Sequence, residues 1–244
     1  MTEAQERAEQ GQPEAVLLLT YADAAEAAAL VGRPSNGSYE VVSCPLSGPV
    51  DRLLEELQPD LVILVPPCEE QQLLGACASL RDRTTRPIVV LSEQHDELLV
   101  TRAFAAGVDE YLALPISDRE LAARIGAMLR RMASLTGGPG ASCMGGLTLS
   151  ASNLAVECRG RRIFLSPIEY RLLSCLASAP GKVFTHEALM ARVWGAEYVD
   201  SRHYLHLYIR YLREKLEDDP HDPRLILNEW GVGYRFQPVE ATVR

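Results

Sequence analysis

Five short apolar runs, separated by longer stretches with helical periodicity, constrain the first half of this chain more than any other feature. They are AVLLLT (15–20), YEVVSC (39–44), LVILV (61–65), PIVVLS (87–92) and EYLAL (110–114). A strand that is apolar at nearly every position must be covered on both faces, which is what helices alternating with parallel strands achieve. The expectation is a doubly wound (βα)5 parallel sheet, an α/β domain over residues 14–135. Its functional crevice then lies at the C-terminal ends of the strands. Helix ends are marked as well: Asp96 can cap ELLVTRAFA, Gly107 can stop it, and Ser117 with Glu120 makes a capping-box pattern.

The Gly-rich stretch TGGPGASCMGG (136–146) lacks apolar periodicity and reads as a linker. Beyond it, LTLS, LAVEC and RIFLS are short strands, with RGRR as a tight hairpin turn. SPIEYRLLSCLASAPG opens a helix with Ser166 at the N-cap, Pro167 at the first turn and Glu169 three residues on, and closes at Pro180-Gly181. THEALMARVWG is a second helix between Thr185 and Gly195, a third runs from about 202 to 216, and RLILNEWGVGYRF is a hairpin turning near Trp230-Gly231. Strands, three helices and a terminal hairpin describe a winged helix-turn-helix of α+β type over 147–238.

Composition removes several classes of function. The apolar fraction of 47% is that of a globular chain. No apolar run reaches the roughly 18 residues that span a bilayer, so no membrane partner is expected. Residues 1–13 are polar and acidic, and read as a disordered tail rather than a signal peptide or anchor. The six cysteines show no C-x-x-C pair, which points to free thiols in a reducing cytoplasm and to no metal or other cofactor. Charge is uneven: residues 1–140 carry 11 Arg, no Lys and 21 acids, whereas 141–244 carry 13 Lys plus Arg and 12 acids. Overall acidity argues against nucleic acid, but the near-neutral second half leaves that partner open.

The third helix of the second half, SRHYLHLYIRYLREKLE, carries two stripes. Leu205, Ile209, Leu212 and Leu216 recur at core-facing spacing, while His203, His206, Arg210 and Arg213 form a polar-basic stripe. Tyr204 lies beside His203, and Leu207 and Tyr211 flank the exposed face. A helix with one buried and one Arg/His face can fill a DNA major groove; the competing reading is an ordinary solvated surface helix.

The order and spacing of VWG, LRxKLE, DPRLI and GVGYRF closely resemble the effector domain of OmpR/PhoB-type response regulators, over residues 147–237. The resemblance implies a winged helix whose third helix enters the major groove while the wing touches the minor groove or backbone. It implies double-stranded DNA contacts from His203, Tyr204, His206, Leu207, Arg210, Tyr211, Arg213 and Trp230. Three positions depart from the family: His203 and Tyr211 stand where many members have Arg, and Trp230 where a wing-tip Arg is common. Fewer fixed cations imply weaker, less salt-dependent binding with more stacking. The third helix also looks like those of potassium-pump operon regulators.

By the same resemblance the first domain is a receiver. Receivers use an acid pair after the first strand to hold Mg²⁺, an Asp ending the third strand to accept phosphoryl, and a Lys after the fifth strand. The acid-pair positions here hold Thr20 and Tyr21, the acceptor position Val65 and the lysine position Leu114. No lysine precedes Lys182. Valine has no nucleophilic oxygen, and without carboxylates Mg²⁺ has no hard ligands. Asp23 is placed too far along, in the first helical turn, to substitute, and Glu69 and Glu70, after two prolines, favour a helix N-terminus. Ser92 and Tyr111 fill the switch-hydroxyl and switch-aromatic positions. Asp109, Glu110, Tyr111, Glu120, Arg124 and Arg131 match positions through which members pair on the face of the fourth helix, fifth strand and fifth helix. A basic position there is Val100.

The expectation is therefore a pseudo-receiver joined to a sequence-specific DNA-binding domain, acting as a homodimer on tandem half-sites without aspartyl phosphorylation. Two alternatives remain open. The first unit can sense a small apolar ligand in the pocket of Thr20, Tyr21, Val65, Pro66, Ser92 and Leu114. Alternatively, the winged helix can be an interaction module for partners such as RNA polymerase subunits. No nucleophile–base–acid set supports an enzyme.

Overall fold

The computed structural model describes residues 13, 15–28, 39–67, 69–136, 142–144, 147–199 and 202–238. The expected N-terminal tail lies outside these apart from Pro13, as do Cys68 and most of the expected linker. The chain forms two compact units that part between Gly137 and Gly138, and each is described by itself.

In the first unit, β1 (Ala15–Tyr21), β2 (Tyr39–Pro45), β3 (Leu61–Val65), β4 (Ile88–Ser92) and β5 (Glu110–Ala113) form one parallel sheet in the order β2-β1-β3-β4-β5. All five expected strands are present to within a residue or so. Every residue of β3 and β4 is buried, as their apolar runs required. The helices are α1 (Ala24–Ala28), α2 (Val50–Leu57), α3 (Glu70–Arg83), α4 (Glu97–Ala105) and α5 (Asp118–Thr136). One face of the sheet packs a cluster with Leu17, Ile63, Leu91, Leu121 and Ile125. The other packs Leu18, Val62, Leu73, Val90 and Ala103. Sequence order reverses between β1 and β3, where such sheets open a crevice.

The expected caps are made. Asp96 Oδ1 accepts from the amides of Leu98 (3.0 Å) and Leu99 (3.2 Å), and Ser117 Oγ accepts from Glu120 N (3.2 Å). A buried network then fixes the far edge of the sheet. Arg81, near the end of α3, donates to the carbonyls of Gly107 (2.8 Å), Thr84 (2.9 Å) and Arg86 (3.2 Å) and to Asp109 Oδ2 (2.5 Å). That same Oδ2 accepts from Ile88 N (2.9 Å), so one ion pair joins α3, β4 and the turn before β5.

This network corrects one expectation. Asp109 is only 1% exposed and is held inside its own unit, so its carboxylate is not part of a pairing surface.

In the second unit, β7 (Leu147–Ser150), β8 (Ala155–Cys158) and β9 (Arg161–Phe164) are joined by β6 (Ser142–Met144) in an antiparallel sheet. Strand β6 falls inside the stretch expected to be linker. Its backbone groups are satisfied by the free edge of β7, which demands no apolar pattern. The RGRR turn places both Arg159 (φ 51°) and Gly160 (φ 74°) in left-handed conformation, as a tight hairpin needs. Helices α6 (Pro167–Ala177), α7 (His186–Val193) and α8 (Arg202–Leu216) follow. A second sheet of β10 (Val183–Thr185), β12 (Gly233–Phe236) and β11 (Ile226–Glu229) completes the winged helix, in that strand order. Strand β10 was not expected; it is too short to announce itself and pairs with β12 just ahead of the Thr185 cap.

Arg81→Met keeps the aliphatic stem but leaves the Asp109 carboxylate buried without its guanidinium. We expect a loss of about 3 kcal/mol, read from the urea midpoint of the first unit's transition.

Candidate nucleic-acid interface

The core stripe of α8 is buried as read: Leu205, Ile209, Leu212 and Leu216 are at most 1% exposed, with Tyr208 beside them. Tyr208 meets the Trp194 ring edge-on at 5.4 Å. On the neighbouring solvent face His203, His206 and Arg210 are exposed, while Tyr204, Leu207 and Tyr211 are half-buried along its margins. The His203 ring lies tilted by 54° against that of Tyr204, 3.9 Å between centroids. Among the described residues Arg210 pairs with its helical neighbour Glu214 (2.8 Å). Solvent screening keeps such an exposed pair weak, so a phosphate or base edge can compete for the guanidinium. Burial, first among its causes, pushes the Tyr211 hydroxyl up to about 12, which keeps it a proton donor at neutral pH.

Arg213 differs from the rest of its stripe. Its Nε (3.0 Å) and Nη2 (2.7 Å) both donate to the Ile226 carbonyl, and its guanidinium lies 5.9 Å from the centre of the Tyr234 ring. It braces the wing against α8. Glu217, one turn on, completes the brace: its carboxylate is buried and accepts from the amides of Arg224 (3.0 Å), Leu225 (2.8 Å) and Ile226 (2.9 Å). Both backbone groups of Ile226 are thus held by side chains from α8 or its end. At the other end of the motif, Lys215 donates to Glu169 Oε2 (2.5 Å). Glu169 already closes the α6 capping box with Ser166, so α6 and α8 share a buried carboxylate. The LRxKLE motif was noted for its pattern, but nothing in its spacing foretold these partners.

The wing itself is built on two glycines. Gly231 has φ +73°, a turn conformation that a side chain would strain. At Gly233 a Cβ would come within 1.9 Å of the Phe184 carbonyl, so only glycine lets β10 and β12 approach. Below the turn, His206 Nδ1 lies 2.7 Å from the Tyr234 hydroxyl, and the His186 ring is 5.4 Å from His206 and 5.7 Å from Tyr234. Burial and then the neighbouring positive charge of His186, Arg202 and His203 hold the His206 imidazole below its ordinary value. Trp230, at the tip, is 89% exposed.

In the first unit the crevice is apolar. Val65 and Pro66 are buried at the end of β3, and Tyr21 and Leu114 pack on the same core cluster. The Thr20 hydroxyl is fully buried with no hydrogen-bond partner among the described residues. The nearest acids are engaged elsewhere: Asp23 Oδ1 accepts from Ala25 N (2.6 Å), Glu69 from Gln72 (2.5 Å), and Glu70 pairs with Arg102 (2.6 Å). Among the described residues no group of three or more His, Cys, Asp or Glu could hold a metal ion. Tyr111 turns inward and donates to the Gln94 carbonyl (2.6 Å). Ser92 Oγ accepts from Gln94 N (3.2 Å) and also bonds to Tyr111. Of the remaining pairing residues, Glu120 is exposed and Arg131 half-buried. Arg124 bridges Glu120 (3.1 Å) and the buried Glu110 (3.6 Å). Cys77 is buried, which pushes its thiol up to about 12 and leaves it inert at neutral pH.

Two measurements check this geometry. Glu217→Gln can satisfy fewer of the three amides, and we expect a loss of about 2 kcal/mol in the second unit, with the β11 amides exchanging faster with solvent. His206, depressed in the fold, contributes stability that is complete above about pH 6.5 and is lost as pH falls through its folded value. His206→Gln removes that proton-binding site, so the variant's urea midpoint falls less than the wild type's between pH 7.5 and 5.5.

Comparison with known proteins agrees with this architecture. Residues 160–236 match the family described as transcriptional regulatory protein, C terminal. The KDP operon transcriptional regulatory protein KdpE of Escherichia coli (strain K12) is 36% identical over 179 residues, covering 73% of this chain and 80% of that protein. The DNA-binding response regulator MtrA of Mycolicibacterium smegmatis is 32% identical over 192 residues, 76% of this chain and 80% of that protein. A mutant of RitR superposes with a TM-score of 0.74 at 24% identity, over 92% of this chain and all of that one, a likeness of fold. No described helix is long and apolar enough to cross a membrane. With a five-stranded parallel sheet followed by a winged helix, and relatives matched along most of their length, the chain belongs to the OmpR/PhoB-type response regulators.

Proposed function

We propose that this protein is a sequence-specific DNA-binding transcription regulator that works without aspartyl phosphorylation and binds tandem half-sites as a homodimer. One observation carries the DNA-binding part: α8 presents His203, His206 and Arg210 to solvent while Arg213 and Glu217 lock the wing to the same helix. That arrangement suits a helix in the major groove with a hairpin following the backbone or minor groove. KdpE, a transcriptional regulatory protein, and MtrA, a DNA-binding response regulator, support the same activity.

Independence from phosphorylation is supported by the chemistry of the crevice. Phosphoryl transfer needs an oxygen nucleophile and cations to offset the developing charge. Val65 offers no nucleophile, Leu114 no ammonium, and Thr20 with Tyr21 no carboxylate pair. The inward Tyr111, bonded to Ser92 and Gln94, supports a switch held in one position by packing rather than by a phosphoryl group. Glu120 and Arg124 remain accessible on the face of α4, β5 and α5, which suits pairing with a second copy. A ligand-sensing form of this function draws on the buried Thr20 hydroxyl, unpartnered among the described residues, a polar anchor in an otherwise apolar setting.

Selection from a random duplex pool, repeated with a small acyl phosphate and Mg²⁺, tests the proposal. We expect enriched tandem repeats, an unchanged intact mass, and affinity altered by less than about twofold by the phosphodonor. Arg210→Ala weakens binding about tenfold or more. A phosphodonor-dependent mass gain, or a large rise in affinity with it, would falsify the phosphorylation-independent part.

A further inference from the structure

We propose that Trp230 is an apolar wedge that enters the DNA minor groove at a deformable base step, bends the duplex there and makes that step part of the recognised sequence. This rests on the DNA-binding function proposed above. Singly exposed apolar residues are common on protein surfaces, so exposure alone means little. What matters here is where the indole stands and what surrounds it.

Trp230 begins the turn between β11 and β12 and is 89% exposed, with Val232 at 46% beside it. The turn is narrow and stiff. Val232 N donates to Glu229 O (2.9 Å), His186 N donates to Val232 O (3.1 Å), and Gly231 adds no side chain. The base of the hairpin is fastened to α8 through Ile226. A helix seated in the major groove therefore carries the indole with it as a rigid extension, so little conformational freedom is lost when the tip engages.

Charge at the tip excludes the ordinary alternative. Residues 228–232 read Asn-Glu-Trp-Gly-Val and contain no cation. The nearest one along the strand, Arg235, is bound to Glu229 (2.5 Å) and Gln237 (2.7 Å). A tip with no free positive charge cannot hold a phosphate by ion pairing. A large flat apolar ring can instead displace minor-groove water and slip between partly unstacked bases, as wedging side chains of minor-groove proteins do. Unstacking costs least at pyrimidine–purine steps such as TA and CA/TG, so the wedge selects them without any base-edge hydrogen bond.

The test uses the full chain and duplexes labelled at both ends, with TA, AA or GC at the wing position of a selected site. For the wild type we expect a bent duplex and a preference for TA of about tenfold. Trp230→Ala should abolish both and leave the salt slope unchanged, and Trp230→Phe should keep most of each. Trp230→Arg should lose the bend and steepen the salt slope by about one ion. Of the two tryptophans Trp194 is buried, so quenching of the exposed indole on DNA reports insertion directly. A Trp230→Ala protein that bends DNA and prefers TA as the wild type does overturns the wedge. So does a variant unaltered on DNA but impaired in binding RNA polymerase. A wild type that binds no duplex overturns the DNA-binding function itself, whereas loss of step preference alone leaves that function standing.

Discussion

The Glu217 carboxylate, buried behind the end of α8, accepts three consecutive backbone amides at the start of β11. A buried charge needs such donors, and removing it from water without them would cost several kcal/mol. Because the amides belong to the wing and the carboxylate follows α8, the two cannot drift apart without stranding that charge. Arg213 closes the loop by holding the Ile226 carbonyl from one turn earlier. The exposure of His203, His206 and Arg210 and the position of Trp230 follow from this brace.

The first unit depends on a comparable device at a different place. Arg81 and Asp109 form a buried pair that also binds the Gly107 carbonyl and the Ile88 amide, which pins the edge of the sheet next to β5. The crevice at the other strand ends carries no such charge. Its lining of Val65, Pro66, Tyr21 and Leu114 continues the core, and the Ser92–Tyr111 contact is held by neutral hydrogen bonds. The unit keeps ionic chemistry where it fastens structure and leaves the crevice lined by apolar side chains.

Much of this was legible in the residues. The five apolar runs became β1 to β5, the Asp96, Ser117, Ser166 and Thr185 caps formed, and the leucine stripe of α8 is buried. These features are local: periodicity and caps act within a few residues. Strands β6 and β10 were missed because three-residue strands are set by the edge they join. Arg213 was grouped with groove-facing cations because helical spacing gives a side chain's direction but not what folds back against it. Asp109 was placed on a pairing face because an acid in an acidic sequence resembles a surface charge until Arg81, far away in sequence, is found beside it.

The sequence by itself determined the fold class, most of the helices and the longer strands, and the chemical inventory of the crevice, since a missing lysine or a valine at the end of β3 needs no coordinates. The tertiary structure alone decided which charges are spent inside the protein and which face outward. Hydrogen bonding of a buried charge is settled by partners many residues away, such as Glu217 with Ile226, Lys215 with Glu169 and Arg81 with Asp109. Only when the chain has folded back to satisfy those groups do Arg210, the histidines of α8 and the bare indole of Trp230 remain for a partner.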